Sequence, residues 1–326
     1  MIDLSIIIVN WNSAAYILKC VESIYANTHE IQFEIIVVDN ASPNCDADQI
    51  VHRFPKVVLI ESSVNLGFAR ANNLGFRASR GRFVVFLNPD TLLINPAFDL
   101  MLLRIGSLPD VGAVGCKLLN RDQSVQTSAI QTFPTILNQL LDLDLLRNRF
   151  PACPLWNIAP LYDDSMLPSR VEAISGACVM LRREVFAQVG QFSEEFFMYA
   201  EDLDLCYKTA RAGLVNYYIP QGQVIHYGGT SSVPRRAVLM KWRSILKYIA
   251  KYRGYGYQLA FRVAIASSAI ARLVVLIPLM VVQKSAHRHA ARGTFIKWWL
   301  ILQTMLTYFE RNPQSESFTA EGAQGR

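Results

Sequence analysis

The sequence predicts an α/β fold, a mostly parallel sheet flanked by helices, with a helical extension at its C-terminal end. Three observations carry this expectation. Short continuous runs of aliphatic and β-branched residues recur through the first 120 residues, as strands covered on both faces require. Stretches with helical spacing of apolar residues separate them, the alternation of a βαβ chain. Charge then divides the chain. Residues 1–204 hold 15 Lys+Arg and 23 Asp+Glu, whereas residues 205–309 hold 15 Lys+Arg and no acid.

Taken in order, "LSIIIVN" (4–10) reads as the first strand. A helix over 14–26 follows, with Ala15, Leu18, Val21, Ile24 and Tyr25 at helical spacing. "FEIIVVD" (33–39), "VVLIE" (57–61) and "RFVVFLN" (82–88) are the next strands, and residues 67–79 form a helix between the last two. Residues 121–170 carry Pro134, Pro151, Pro154, Pro160 and Pro168 and read as a loop-rich insert. "VEAISGACVMLRREVF" (171–186) returns to strand and helix. "EDLD" (201–204) opens a helix capped at Gly213, and "VNYYIP" (215–220) is a further strand leading to "VIHYGGTSS" (224–232).

At 326 residues the chain can bury a full core in one large domain and still carry an extension. The hydrophobic fraction of 52% and mean hydropathy of +0.20 are high for a soluble protein. "MIDLSIIIVN" has neither the basic flank nor the apolar length of a signal peptide. The six cysteines include no CxxC pair, which predicts reduced thiols and neither a disulfide framework nor a zinc site.

Ligands in such sheets bind beyond the carboxyl ends of the strands, where this chain places polar residues. Asp39 in "VVDNAS" can accept a hydrogen bond from a base N–H, or serve with Asn40 as a turn former. "NLGFARANNLGF" (65–76) matches neither a dinucleotide fingerprint nor a P-loop. Its glycines allow a phosphate to approach a helix entrance, or serve packing alone. In "FLNPDT", Asn88 and Asp90 can face one hard cation, or make an Asn-Pro-Asp turn. His226 in "HYGG" is a ligand or a structural imidazole. On the acidic helix, Glu201 and Asp204 share one side, Leu203, Cys206, Tyr207 and Ala210 form the packing stripe, and Asp202 belongs to neither. Such acids complement a helix dipole. Partial desolvation beside Phe196, Phe197 and Tyr199 would also make one of them a general base.

Together the segments "VNWN", "VVDNAS", "NLGFARANNLGF", "LNPDT", "SGACVMLRRE", "FFMYAEDLDLCYKTARAG" and "HYGGTS" resemble the family 2 glycosyltransferases of GT-A fold, specifically their rhamnosyltransferase-like branch. The resemblance spans about residues 3–250 and implies a catalytic domain over 1–233, with a nucleotide-binding half (1–120) and an acceptor half (121–233). It implies an inverting transfer of a sugar from a nucleotide-sugar donor, with dTDP-rhamnose ahead of UDP-linked hexoses. By the same resemblance, Asn10, Trp11, Asn12, Asp39, Asn40, Asn72, Asn73, Asn88, Asp90, Gly176 and Glu201 would line the nucleotide-sugar site. Asp202 would be the catalytic base, and Asp90 and His226 would bind a divalent Mg2+ or Mn2+. Asn88 stands where the family's DxD pattern has its first acid, a variant usual in the rhamnosyltransferase-like branch, and it implies weaker, diphosphate-assisted metal binding.

The basic extension (234–310) contains "LAFRVAIASSAIARLVVLIPLMVVQ" (259–283), long enough to span a bilayer but interrupted by Arg262 and Arg272. The expectation is helices lying in the interface, with cations reaching toward anionic headgroups; a span, a re-entrant hairpin or a buried helical hairpin are the alternatives. Long aliphatic runs argue against nucleic acid. With the family resemblance, this surface implies a polyprenyl-diphosphate-linked or oligosaccharide acceptor at the cytoplasmic face of the inner membrane. Residues 311–326 read as a flexible tail. A nucleotidyltransferase would need a Gly-rich basic loop after the first strand, and a processive synthase several spans and a QxxRW-type motif. The chain has neither. A non-catalytic adaptor of the same fold remains the contrasting reading.

Overall fold

The structure, a computed structural model, describes residues 1–44, 47–142, 144–228, 234–282 and 285–308. The predicted tail at 311–326 and the Gly229 end of the "HYGG" motif lie outside them. The chain divides into two compact units, Met1–Lys241 and Trp242–Arg326. The division falls inside a helix, a few residues after the expected boundary at 233.

Unit 1 begins β1 (Leu4–Asn10), α1 (Ala14–Asn27), β2 (Phe33–Asp39), α2 (Asp48–Arg53), β3 (Val58–Glu61), α3 (Gly67–Ala78) and β4 (Phe83–Leu87). Every residue of β1 and β4 is buried, which explains why their sequences are unbroken apolar runs. β5 (Thr91–Leu93), α4 (Ala97–Ser107) and β6 (Val111–Leu119) follow. The loop-rich insert holds a 3-10 turn (Thr127–Ala129), β7 (Ile130–Gln131), α5 (Ile136–Leu140), α6 (Asp144–Arg149) and a second 3-10 turn (Ala159–Tyr162). β8 (Ser169–Val171), β9 (Ala173–Ile174), β10 (Cys178–Arg182), α7 (Arg183–Gln188), α8 (Glu201–Arg211) and β11 (Val215–His226) complete the unit's sheet region.

The main sheet runs β3-β2-β1-β4-β10-β6-β11-β5, with β8 beside β11, while β7 and β9 form a separate ribbon. β1 to β4 are mutually parallel, and β10 is antiparallel to both β4 and β6. β6 therefore runs with β4, and β11 runs parallel to β6. This topology brings the ends of β1, β2, β4, β6 and β11, and the start of β10, to one edge. That edge is where the polar residues collect.

Two helices depart from their predicted packing. α1 buries Ala14, Ile17, Cys20, Val21 and Ile24, not the stripe through Ala15, Leu18 and Tyr25. Its apolar residues occupy more than one face, and the sheet chose the stripe with the smaller and β-branched side chains. In α8, Leu205 and Thr209 are buried with Leu203 and Cys206, whereas Ala210 is exposed. The helix starts at Glu201, because Tyr199 and Ala200 just before it both adopt left-handed φ values of 70° and 64°. Gly213, at φ 81°, ends it as expected.

Close approach explains two glycines. A Cβ at Gly75 would lie 2.6 Å from Ile7 Cγ2, so only glycine seats α3 on β1. Gly67, at φ 76°, lies against the Phe197 carbonyl, where a Cβ would come within 2.4 Å of the oxygen.

Unit 2 lies on α9 (Pro234–Val282) and α10 (Ser285–Thr307). α9 is two helices meeting at Gly254, whose φ 78° and ψ 168° are not helical. Ala269 and Leu273 of α9 pack with Leu302, Phe295 and Trp298 of α10. The two arginines behave differently from expectation. Arg262 is buried and donates from Nε to the Met305 carbonyl at 2.8 Å, and the Arg272 guanidinium stacks on Trp298 at 4.0 Å. Both cations find partners inside the unit because α10 folds back alongside them. α9 leaves Leu259, Val263, Ile270, Val274 and Ile277 exposed along one side, while the exposed Val275 points to another.

Candidate active site

The end of β1 and the end of β2 are tied together by side chains. Asn10, fully buried, donates from Nδ2 to Asp39 Oδ1 at 2.7 Å, and its Oδ1 accepts from Ser13 N at 3.0 Å. Asp39 Oδ2 accepts from Ser42 N at 3.1 Å. Each carboxylate oxygen of Asp39 keeps a further lone pair for a ligand N–H. Trp11 stands at the same edge, 36% exposed, and Asn12 adopts a left-handed φ of 53° as the chain turns into α1. Asn40 braces the entrance to α3: its Oδ1 accepts from Leu66 N at 2.7 Å, and its Nδ2 donates to Asn65 and to the Gly67 carbonyl.

The two asparagines inside α3 face different ways from this edge. Asn72 donates to the carbonyl of Phe68 one turn back in its own helix. Asn73 donates to the Phe192 carbonyl at 2.9 Å and accepts from Phe192 N at 3.1 Å. Its amide is thus spent on fastening the 192–194 loop.

At the end of β4, Asn88, Asp90 and His226 converge. The antiparallel register of β5 and β11 sets Thr91 opposite His226. His226 Nε2 lies 3.1 Å from Asn88 Nδ2 and 3.4 Å from Asp90 Oδ1. Asp90 is only 6% exposed. A carboxylate oxygen, an amide and an imidazole nitrogen suit Mg2+ or Mn2+ if the remaining positions come from a diphosphate and water. Among the described residues no group of three or more His, Cys, Asp or Glu gathers to hold an ion by itself. The donor set fits a cation shared with a bound anion.

The carboxylate of Asp202 lies in the first turn of α8, half-buried. Its Oδ2 accepts from Gly176 N and from Gln131 Nε2, each at 3.0 Å, and its Oδ1 accepts from Leu203 N at 2.8 Å. The next residue in that turn, Ala177, accepts from Asn88 N at 2.9 Å. One short turn therefore joins the Asp202 carboxylate to the end of β4.

Glu201 and Asp202 sit in different surroundings. Glu201 is buried, its Oε2 has no hydrogen-bond partner among the described residues, and burial followed by the charge of Asp202 holds its pKa well above the usual carboxylate range. Burial also raises Asp202, but hydrogen bonds from Gly176, Leu203 and Gln131 oppose the shift. Burial thus dominates at Glu201, while three hydrogen bonds favour the charged form of Asp202. Asp204 is structural: it accepts from Ser193 Oγ at 2.6 Å and pairs with Lys208 at 3.2 Å. The left-handed pair at 199–200, costing about 1–3 kcal/mol per residue, aims this turn.

Sequence reasoning missed Gln131 and Gln126, the latter accepting from His226 Nδ1 at 2.8 Å. Both lie in the irregular insert, where no periodicity marks them. Burial pushes the Cys20 and Cys206 thiols up to about 12, so neither is poised as a nucleophile.

The family model described as "Glycosyl transferase family 2" matches residues 5–190. An N-acetylglucosaminyl-diphospho-decaprenol L-rhamnosyltransferase of Mycobacterium tuberculosis is 31% identical over 211 residues, covering 61% of this chain and 67% of that protein. Rhamnosyltransferase WbbL of Escherichia coli is 24% identical over 259 residues, covering 76% and 93%. Among solved structures, the mannosyltransferase PcManGT of Pyrobaculum calidifontis, in complex with GDP-Man and Mn2+, aligns with a TM-score of 0.56 at 17% identity over 93% of this chain and 84% of that one. GalNAc-T7 with UDP, GalNAc and Mn2+ aligns with the same TM-score at 14% identity over 76% and 48%.

Proposed function

Because this chain belongs to glycosyl transferase family 2 and has the GT-A fold, we propose that it transfers rhamnose from dTDP-rhamnose to a polyprenyl-diphosphate-linked N-acetylglucosaminyl acceptor. The rhamnosyl group follows the names of its M. tuberculosis and E. coli relatives, the N-acetylglucosaminyl-diphospho-polyprenol acceptor follows the name of the former, and the dTDP carrier follows the family resemblance of the sequence. The observation that carries the catalytic reading is the turn at Gly176–Ala177, which holds the Asp202 carboxylate and the end of β4 together.

In this reading, Asp39 accepts from the base N–H, while Trp11 and Asn12 border the nucleoside. Asn40 shapes the α3 entrance, Asn72 lines the helix behind it, and Asn73 serves by anchoring the 192–194 loop. Asp202 takes the proton of the acceptor hydroxyl as its oxygen bonds to the anomeric carbon. The bond from that carbon to the nucleotide diphosphate breaks on the opposite face, so the configuration inverts. Asp90 and His226, with Asn88, would hold a divalent cation, which when bound neutralises the departing diphosphate. Burial favours the neutral form of Glu201, which lessens its repulsion of the donor.

With purified protein and Mn2+, a panel of nucleotide sugars is expected to show turnover of dTDP-rhamnose on the lipid-linked acceptor. Release of UDP from a UDP-hexose, with dTDP-rhamnose untouched, overturns the donor.

The proposed seat is the cytoplasmic face of the membrane. Support comes from the exposed apolar face of α9, and from Arg262 and Arg272 being satisfied within unit 2, so that neither opposes burial of that face in lipid. One helix, Arg235–Pro278, also has the length and composition of a span. Val263→Glu with Val274→Glu is expected to abolish co-flotation with anionic vesicles while soluble donor hydrolysis persists. Undiminished flotation of the double variant removes this seat.

A further inference from the structure

Gln126 makes more bonds than a loop glutamine needs. Its Nε2 donates to the His226 carbonyl at 3.2 Å and to Asn120 Oδ1 at 3.1 Å, while its Oε1 lies 2.8 Å from His226 Nδ1. The segment is itself held, Gln126 N donating to the Leu118 carbonyl at 2.9 Å. These contacts remove the usual ambiguity of an amide. A backbone carbonyl can only accept, so the group facing the His226 oxygen must be the NH2. Oε1 then faces Nδ1, and an oxygen facing a ring nitrogen at that distance requires Nδ1 to carry a proton.

From this we infer that Gln126 is a positioning residue that holds His226 as its Nδ1–H tautomer, leaving Nε2 as the lone-pair nitrogen turned toward Asn88 and Asp90. Resting on the metal reading above, the inference gives His226 the one form in which it can ligate a cation from that side. The same grip fixes the ring plane, because Gln126 holds both the side chain and the main-chain oxygen of one residue. In this tautomer Nε2 accepts from Asn88 Nδ2 at 3.1 Å, closer than Asp90 Oδ1 at 3.4 Å; on rotation about its last side-chain torsion, Asn88 can present its oxygen instead.

The test is a long-range 1H–15N correlation on the full chain with labelled histidine, without metal, together with Mn2+ titration followed by electron paramagnetic resonance. The wild type is expected to show a protonated Nδ1 and a bare Nε2 at His226. Gln126→Met is expected to lose that preference and to weaken Mn2+ by about 10- to 100-fold, and Gln126→Glu to keep a proton on Nδ1 through its acceptor oxygen while losing the hold on the main-chain oxygen. A wild-type Nε2–H signal overturns the inference, as does a Gln126→Met protein with unchanged tautomer and unchanged Mn2+ affinity. A wild-type Nδ1–H signal without any Mn2+ binding upholds the tautomer and overturns the metal reading instead.

Discussion

Asp202→Asn is expected to lower turnover by about 10²- to 10⁴-fold, the range for a lost general base, with donor binding nearly unchanged. The amide has the same shape but cannot take the acceptor's proton. Its thermal midpoint should move little, since two effects oppose. A half-buried charge is relieved, yet the new NH2 must face Leu203 N–H, because Oδ is already claimed by Gly176 and Gln131. The pH dependence follows from the raised pKa of Asp202. Wild-type kcat/KM falls as pH drops through that raised value, and the variant should lose this limb. Stability runs the other way. Folding takes up a proton at a carboxyl whose pKa is raised, so its contribution is greatest below the unfolded pKa and declines as pH rises through the folded one. A variant turning over within about threefold of wild type would leave only an adaptor that keeps the fold without its chemistry.

Asp90→Ala is expected to cost about 10³-fold or more in kcat/KM and to weaken Mn2+ strongly, because it removes the carboxylate that faces His226 at the end of β4. His226 and Asn88 alone offer nitrogen and amide donors, too little charge to hold a hard cation against water. Isothermal titration with Mn2+, with and without nucleoside diphosphate, measures this directly. If the Asp90→Ala protein keeps the wild-type Mn2+ dependence, the ion binds elsewhere and the Asn88–Asp90–His226 edge must have another purpose.

Much of this edge was readable in the residues. Asp39, Asn88 and Asp90 sit at the ends of unbroken apolar runs, and a strand buried on both faces must stop where its side chains turn polar. Asp202 stood out because a carboxylate among aromatic residues is costly unless it is used. Other features resisted. Asn73 carries the same amide as Asn40, yet its partner, Phe192, lies 119 positions away and claims both ends of the group. Arg262 looked like a surface cation until the Met305 carbonyl appeared beside it.

By itself the sequence determined the strands, their order of appearance and the polar residues that close them, because burial on two faces imposes a local, continuous pattern. Tertiary structure alone decided which helix faces pack, where the arginines turn, and that Gln126 and Gln131 grip His226 and Asp202. Those choices depend on groups roughly 70 to 100 residues apart meeting in space, and no spacing along the chain encodes such a meeting.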